Sequence, residues 1–223
     1  MSGLDLPAAG ERRPRRSASH GEAGYPRAAF DFYPTEPWVT RALCRAVEFN
    51  LPGVPCPQWI WEPACGDGRM AEVLAEFGYA VLASDLADHG YGRTGVDFLR
   101  ERPPELPLAA IVTNPPFALA APFIARAIEL TRERGGKVAM LQRHEFDAPR
   151  RNRPLFEPPF ATKLILPRRP RWSDEDTASP RFPYAWYLWD WAQRGPPVIR
   201  WLDDDAGADA QFGLPLASTG GAG

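Results

Sequence analysis

The spacing of apolar positions changes several times between residues 35 and 202. Met70, Val73, Leu74 and Phe77 recur at i, i+3, i+4 and i+7, which predicts a helix over 69–77 stopped by Gly78. Phe123, Ile124, Ala127 and Ile128 form a second such face, ending at Gly135 and Gly136. Val39, Leu43, Ala46 and Val47 form a third, on a helix starting near Thr35. Between these faces lie short β-branched and aromatic runs at 58–61, 79–83, 109–113 and 137–141, and a further strand region is placed before Asp97. Strand and helix in alternation predict a parallel sheet covered by helices, an α/β fold. Past residue 160 the helical pattern stops. The runs 163–166, 184–191 and 198–202 read as successive strands, which predicts antiparallel pairing at one edge of the sheet. Trp186, Trp189, Trp191 and Trp201 fall in this region and read chiefly as core.

Composition sets the outer limits. The 223 residues suit one well-buried domain, placed at 25–202. Residues 1–24, with Arg12, Arg13, Arg15 and Arg16, read as a disordered basic arm, and 203–223 as a disordered tail. The 28 acids nearly balance the 26 bases, so net charge by itself argues for neither a nucleic-acid nor a membrane partner. No apolar run has the length of a membrane span. Cys44, Cys56 and Cys65 have no paired spacing, which favours a reducing compartment, the cytoplasm. The three histidines are scattered, and no metal site is expected.

The chemistry concentrates where strands end. After the first strand comes Glu62-Pro63-Ala64-Cys65-Gly66-Asp67-Gly68. Its two glycines permit a tight turn and close approach of a ligand. The flanking carboxylates would repel a pyrophosphate and would suit a ligand carrying an ammonium, a sulfonium and a ribose. Asp85 ends the second strand, where an acid can accept both hydroxyls of a ribose. Asp97 could accept from an adenine amino group and Phe98 could lie on the purine. Asn114-Pro115-Pro116-Phe117 ends the fourth predicted strand. Two prolines hold the chain extended and cannot donate hydrogen bonds, so the Asn114 side chain and the Pro115 carbonyl converge as acceptors. With Phe117 as a flat face, the tetrapeptide suits a planar amine.

Together with Phe32-Tyr33-Pro34-Thr35, these segments resemble the amino-methyltransferases that use S-adenosyl-L-methionine (SAM), and most of all the small phage-type DNA adenine-N6 methyltransferases. The resemblance covers about residues 30–142. It implies a Rossmann-like class I SAM-dependent methyltransferase fold. It implies that Tyr33 and Thr35 line the methionine end of SAM, that Glu62, Ala64, Gly66 and Gly68 hold its amino-acid and ribose portions, and that Asp85 takes the ribose hydroxyls. Asp97 and Phe98 would take the adenine. Asn114, Pro115, Pro116 and Phe117 would hold the target amine, with Asn114 also touching the cofactor. Tyr often stands in the family where this chain has Phe117, so a hydroxyl contact is absent here.

Between 143 and 171 eight bases face three acids. Arg143, Arg150, Arg151, Arg153, Arg168, Arg169 and Arg171 are the candidate phosphate contacts, which makes DNA the expected partner, with RNA compatible and no membrane. Pairing of these arginines with Asp174, Glu175 and Asp176 is the competing reading. An RNA base or a protein glutamine would also present a planar amine, and a SAM- or nucleic-acid-binding module without turnover is the alternative from another class.

Overall fold

The structure, a computed structural model, describes residues 32–171 and 182–203. The proposed basic arm, most of the acidic tail and the acids at 174–176 lie outside the described residues. Pro37 opens α1 (Pro37–Ala46), where its fixed φ suits the first helical turn and its missing N–H costs nothing. β1 (Trp59–Glu62) leads through the glycine turn into α2 (Arg69–Glu76), and β2 (Ala80–Ala83) follows. β3 (Leu108–Thr113) leads into α3 (Ala120–Thr131), followed by β4 (Lys137–Arg143). The last strands are β5 (Phe160–Ile165), β6 (Tyr184–Asp190) and β7 (Val198–Trp201).

The seven strands lie in the order β2-β1-β3-β4-β6-β5-β7. β2, β1, β3 and β4 are mutually parallel; β6 is antiparallel to β4 and to β5, and β7 runs parallel to β5. The reversed strand is therefore inside the sheet and not at its edge. A strand that returns beside β4 leaves β5 and β7 to continue outward from it.

Both faces are covered, and the period of two along the strands sorts side chains between them. Ile60, Val112, Leu141 and Trp186 pack with Val39, Leu43 and Leu74 of α1 and α2. Trp61, Ile111, Met140 and Tyr187 pack on the other face with Phe123 and Ile124 of α3. The Trp186 indole donates to the Val39 carbonyl at 3.0 Å, so a fully buried polar hydrogen is satisfied and α1 is fixed to the sheet. Arg41 adds a bidentate contact to Glu76, joining α1 to α2.

No strand forms before Asp97. Gly92 and Gly95 have φ of 68° and 73°, which interrupts the run, and the Val96 amide donates to the Asp85 carbonyl in a loop. The Asn114 strand is accordingly the third in sequence. Trp189 is buried as expected, whereas Trp201 stands 74% exposed on the edge strand.

Candidate active site

β1 and β3 are neighbours and parallel, so their carboxyl ends lie side by side. β2 ends beside β1, which brings Glu62, Asp85 and Asn114 to one edge of the sheet. They line a cleft together with Tyr33, Thr35, Ala64, Gly66 and Pro116. Glu62 is buried, and its Oε2 has no partner among the described residues. Burial, reinforced by the nearby charges of Asp85 and Asp67, holds its carboxyl well above the usual carboxylate range. A cationic group entering the cleft would reverse that balance and ionise it.

Asp85 is held rigidly. One carboxylate oxygen accepts from the Gly66 amide at 2.9 Å and the other from the Ala87 amide at 2.9 Å. Each oxygen keeps a lone pair for a further donor. Asn114 is oriented by its nitrogen, which donates to the Tyr33 carbonyl and to the Thr35 hydroxyl, both at 3.2 Å. Its Oδ1 is left buried and without a partner among the described residues. Phe117 lies beside the cleft, with its ring 5.0 Å from that of Tyr33, 6.1 Å from that of Tyr184 and 5.8 Å from the Arg143 guanidinium.

Several sequence expectations move. Phe98 is 1% exposed and packs on Trp61 and Phe123, so its ring has no face to offer a purine. Burying a Phe gains roughly 2–3 kcal/mol, more than a stacking contact at an open cleft would return. Asp97 is outside the cleft. Its Oδ1 accepts from the Leu99 amide, and it pairs with Arg100 at 3.4 Å. Gly68 also does not line the cleft: a Cβ there would lie 2.4 Å from the Tyr91 ring, so the glycine makes room for that ring. Pro115 is buried and does not line the cleft. Phe32, Cys65, Asp67, Arg69, Met70 and His89, none of them named as a site residue from the sequence, also line the cleft. Phe32, Cys65 and Asp67 stand inside the quoted motifs; nothing in the spacing marks His89. Burial pushes the Cys65 thiol up to about 12, as expected for a packing residue and not a nucleophile.

The basic run does not form one patch. Lys163 is buried, bonded to Asp147 at 2.7 Å and to the His144 carbonyl at 2.6 Å, so it is unavailable to phosphate. Arg143 lies 4.1 Å from the Phe182 ring, next to Phe117. Arg168 covers Trp38 on the α1 face, and the Arg171 amide donates to Glu36. Arg150, Arg151 and Arg153 are exposed in a 3-10 segment, Arg150–Phe156, that packs toward α3 on the opposite face.

Neither a protein-family model nor a curated protein matches the sequence. Solved structures do match. The methyltransferase subunit of a type I restriction-modification system from Streptococcus thermophilus superposes with a TM-score of 0.56 at 13% identity, over 76% of this chain and 46% of that one. A class I SAM-dependent methyltransferase from Listeria monocytogenes, assigned as such without proof of activity, superposes with a TM-score of 0.51 at 13% identity, over 75% of this chain and 65% of that one. This is the class I SAM-dependent methyltransferase fold. The chain spans less than two-thirds of the length of each of those proteins. The donors and acceptors of the cleft at the carboxyl ends of β1, β2 and β3 suit SAM. The orphaned Glu62 oxygen fits an ammonium, and the fixed Asp85 fits a ribose diol.

Proposed function

We propose that this chain is a SAM-dependent N-methyltransferase acting on the exocyclic amine of a nucleic-acid base, adenine N6 in DNA being the favoured target. The observation that carries this reading is the Asn114 side chain. Its nitrogen is committed to Tyr33 and Thr35, and its oxygen, on a residue that lines the Glu62–Asp85 cleft, is buried and has no partner among the described residues. A buried acceptor with no donor is costly, by about 1–3 kcal/mol, and an incoming N–H removes that cost.

When bound, the cofactor supplies an electrophilic methyl group on a sulfonium. The protein's part is to align and hold. Asn114 Oδ1 accepts an amine hydrogen and favours the pyramidal nitrogen whose lone pair attacks. Phe117 stacks on the ring. Asn114 is neutral, so the proton leaves the nitrogen after transfer and passes to water. A base in duplex DNA must first leave the stack, at a few kcal/mol, partly recovered on Phe117 and Tyr33. Arg143, beside Phe117, is placed to meet the adjoining phosphate or the base edge.

Incubating the protein with methyl-labelled SAM and separate DNA, RNA and protein pools tests the reading. Label in DNA recovered as N6-methyladenine is the expected result. Label in RNA or in protein glutamine transfers the same chemistry to those substrates, and no label with intact SAM binding leaves a module without turnover.

A further inference from the structure

Phe98 lies in the core and Asp97 lies outside the cleft, so the purine of the cofactor needs another seat. Two other rings supply one, Phe32 in the Phe32–Thr35 segment and His89 outside every motif. Phe32 and His89 both line the cleft, with centroids 4.2 Å apart and planes inclined by only 15°. Each is half-buried, so an edge of the pair stays open to the cleft. His89 stands four residues beyond Asp85, on a loop that leaves at Asp85 and returns where the Asp85 amide donates to the Arg93 carbonyl at 2.9 Å. Phe32 lies directly over Gly66, whose absent Cβ would fall 2.6 Å from its ring. The Gly66 amide in turn donates to Asp85. The parallel rings and the carboxylate suited to a ribose diol therefore form one contiguous unit, as a nucleoside requires.

We propose that Phe32 and His89 are the two jaws of a purine clamp: the rings part by one ring thickness, and the adenine of SAM inserts between them while Asp85 takes the ribose. This rests on the SAM reading above. As they stand, each ring covers an apolar face of the other. A purine presents two such faces at once and replaces one ring–ring contact with two. Phe32 and His89 are positioning residues for the cofactor and do not touch the target amine.

The test uses the full chain and S-adenosylhomocysteine, titrated by calorimetry. Phe32→Ala is expected to weaken binding about tenfold or more and His89→Ala about fivefold, the range of single base–aromatic stacks. His89→Phe and Phe32→Tyr, which keep a flat face, should bind within about twofold of the parent. The H2 and H8 protons of bound adenosine, followed by NMR, should move upfield with the parent protein and lose that shift with Phe32→Leu, a readout that a purely structural role would not give. Phe32→Leu also keeps bulk over Gly66 should the alanine variant fail to fold. If the parent binds S-adenosylhomocysteine and either alanine variant binds equally well, the clamp is wrong and the SAM reading stands. If the parent binds neither S-adenosylhomocysteine nor adenosine, the SAM reading fails and the clamp falls with it.

Discussion

Glu62 is a carboxyl at the end of a strand, buried, with a free oxygen and its proton affinity raised. In the ligand-free protein it binds more protons than in the unfolded chain. Its contribution to stability is therefore complete below the ordinary glutamate range and is lost as pH rises through the elevated folded value. Across that window the loss approaches about 1.4 kcal/mol per pH unit. Thermal melts of Glu62→Gln and the parent should diverge as pH increases, with the glutamine variant gaining. A cofactor ammonium seated against Glu62 should favour its ionised form, so binding should release a proton wherever the free protein holds one there, seen as a binding enthalpy that depends on the buffer; Glu62→Gln should abolish that dependence. Asn114→Ala removes the acceptor and should lower the transfer rate by about 100-fold or more, the usual effect of deleting a preorganised polar contact. Because the same side chain holds Tyr33 and Thr35, cofactor affinity should also drop, by a few-fold in a titration.

At the scale of elements, the glycine turn carries two tasks. Gly66 and Gly68 have φ of 52° and 87°, and the rings of Phe32 and Tyr91 occupy the space where side chains would stand. Gly68→Ala should cost about 1–3 kcal/mol in a denaturant melt, since a left-handed backbone and a ring clash act together. The turn was legible in the sequence; the aromatic rings resting on it were not, because Phe32 and Tyr91 reach it from 34 and 23 residues away. Periodicity likewise found all three helices and seven of the eight predicted strand runs to within two or three residues at most ends. It failed before Asp97, where the two positive-φ glycines break the run. It also assigned Phe98 to a ligand when the core had the stronger claim. The Lys163–Asp147 pair is a further feature invisible in one dimension: a basic residue counted with the surface charges is buried beneath the loop after β4. Lys163→Met should destabilise by about 1–3 kcal/mol, since it strips the Asp147 carboxylate and the His144 carbonyl of their donor, and Lys163→Ala should cost more because it also leaves a gap.

For the whole molecule, the question is how a nearly neutral protein would hold a polyanion. Six arginines of the 143–171 run occupy three places: beside the proposed amine site at Arg143, along α1 at Arg168 and Arg171, and on the α3 side at Arg150, Arg151 and Arg153. A duplex seated over the cleft meets the first two groups and not the third. Arg143→Ala should thus weaken DNA binding, in fluorescence anisotropy, uniformly across sequences and with a shallower salt dependence. The triple change of Arg150, Arg151 and Arg153 to Ala should leave both unaltered. The three locations could not be told apart from a count of charges, since the chain crosses the sheet between them.

The two bonds from Asn114 to Tyr33 and Thr35 join positions about eighty residues apart in the chain. The segment before α1 is thus a latch on the proposed reaction centre as well as the lead into the first helix. Trimming by a protease or by recloning that removes residues up to 36 would spare the sheet and both helical layers. It would leave a folded protein whose amide at Asn114 is free to turn, so expression yield and a clean melting curve would say nothing about whether such a truncated product still works.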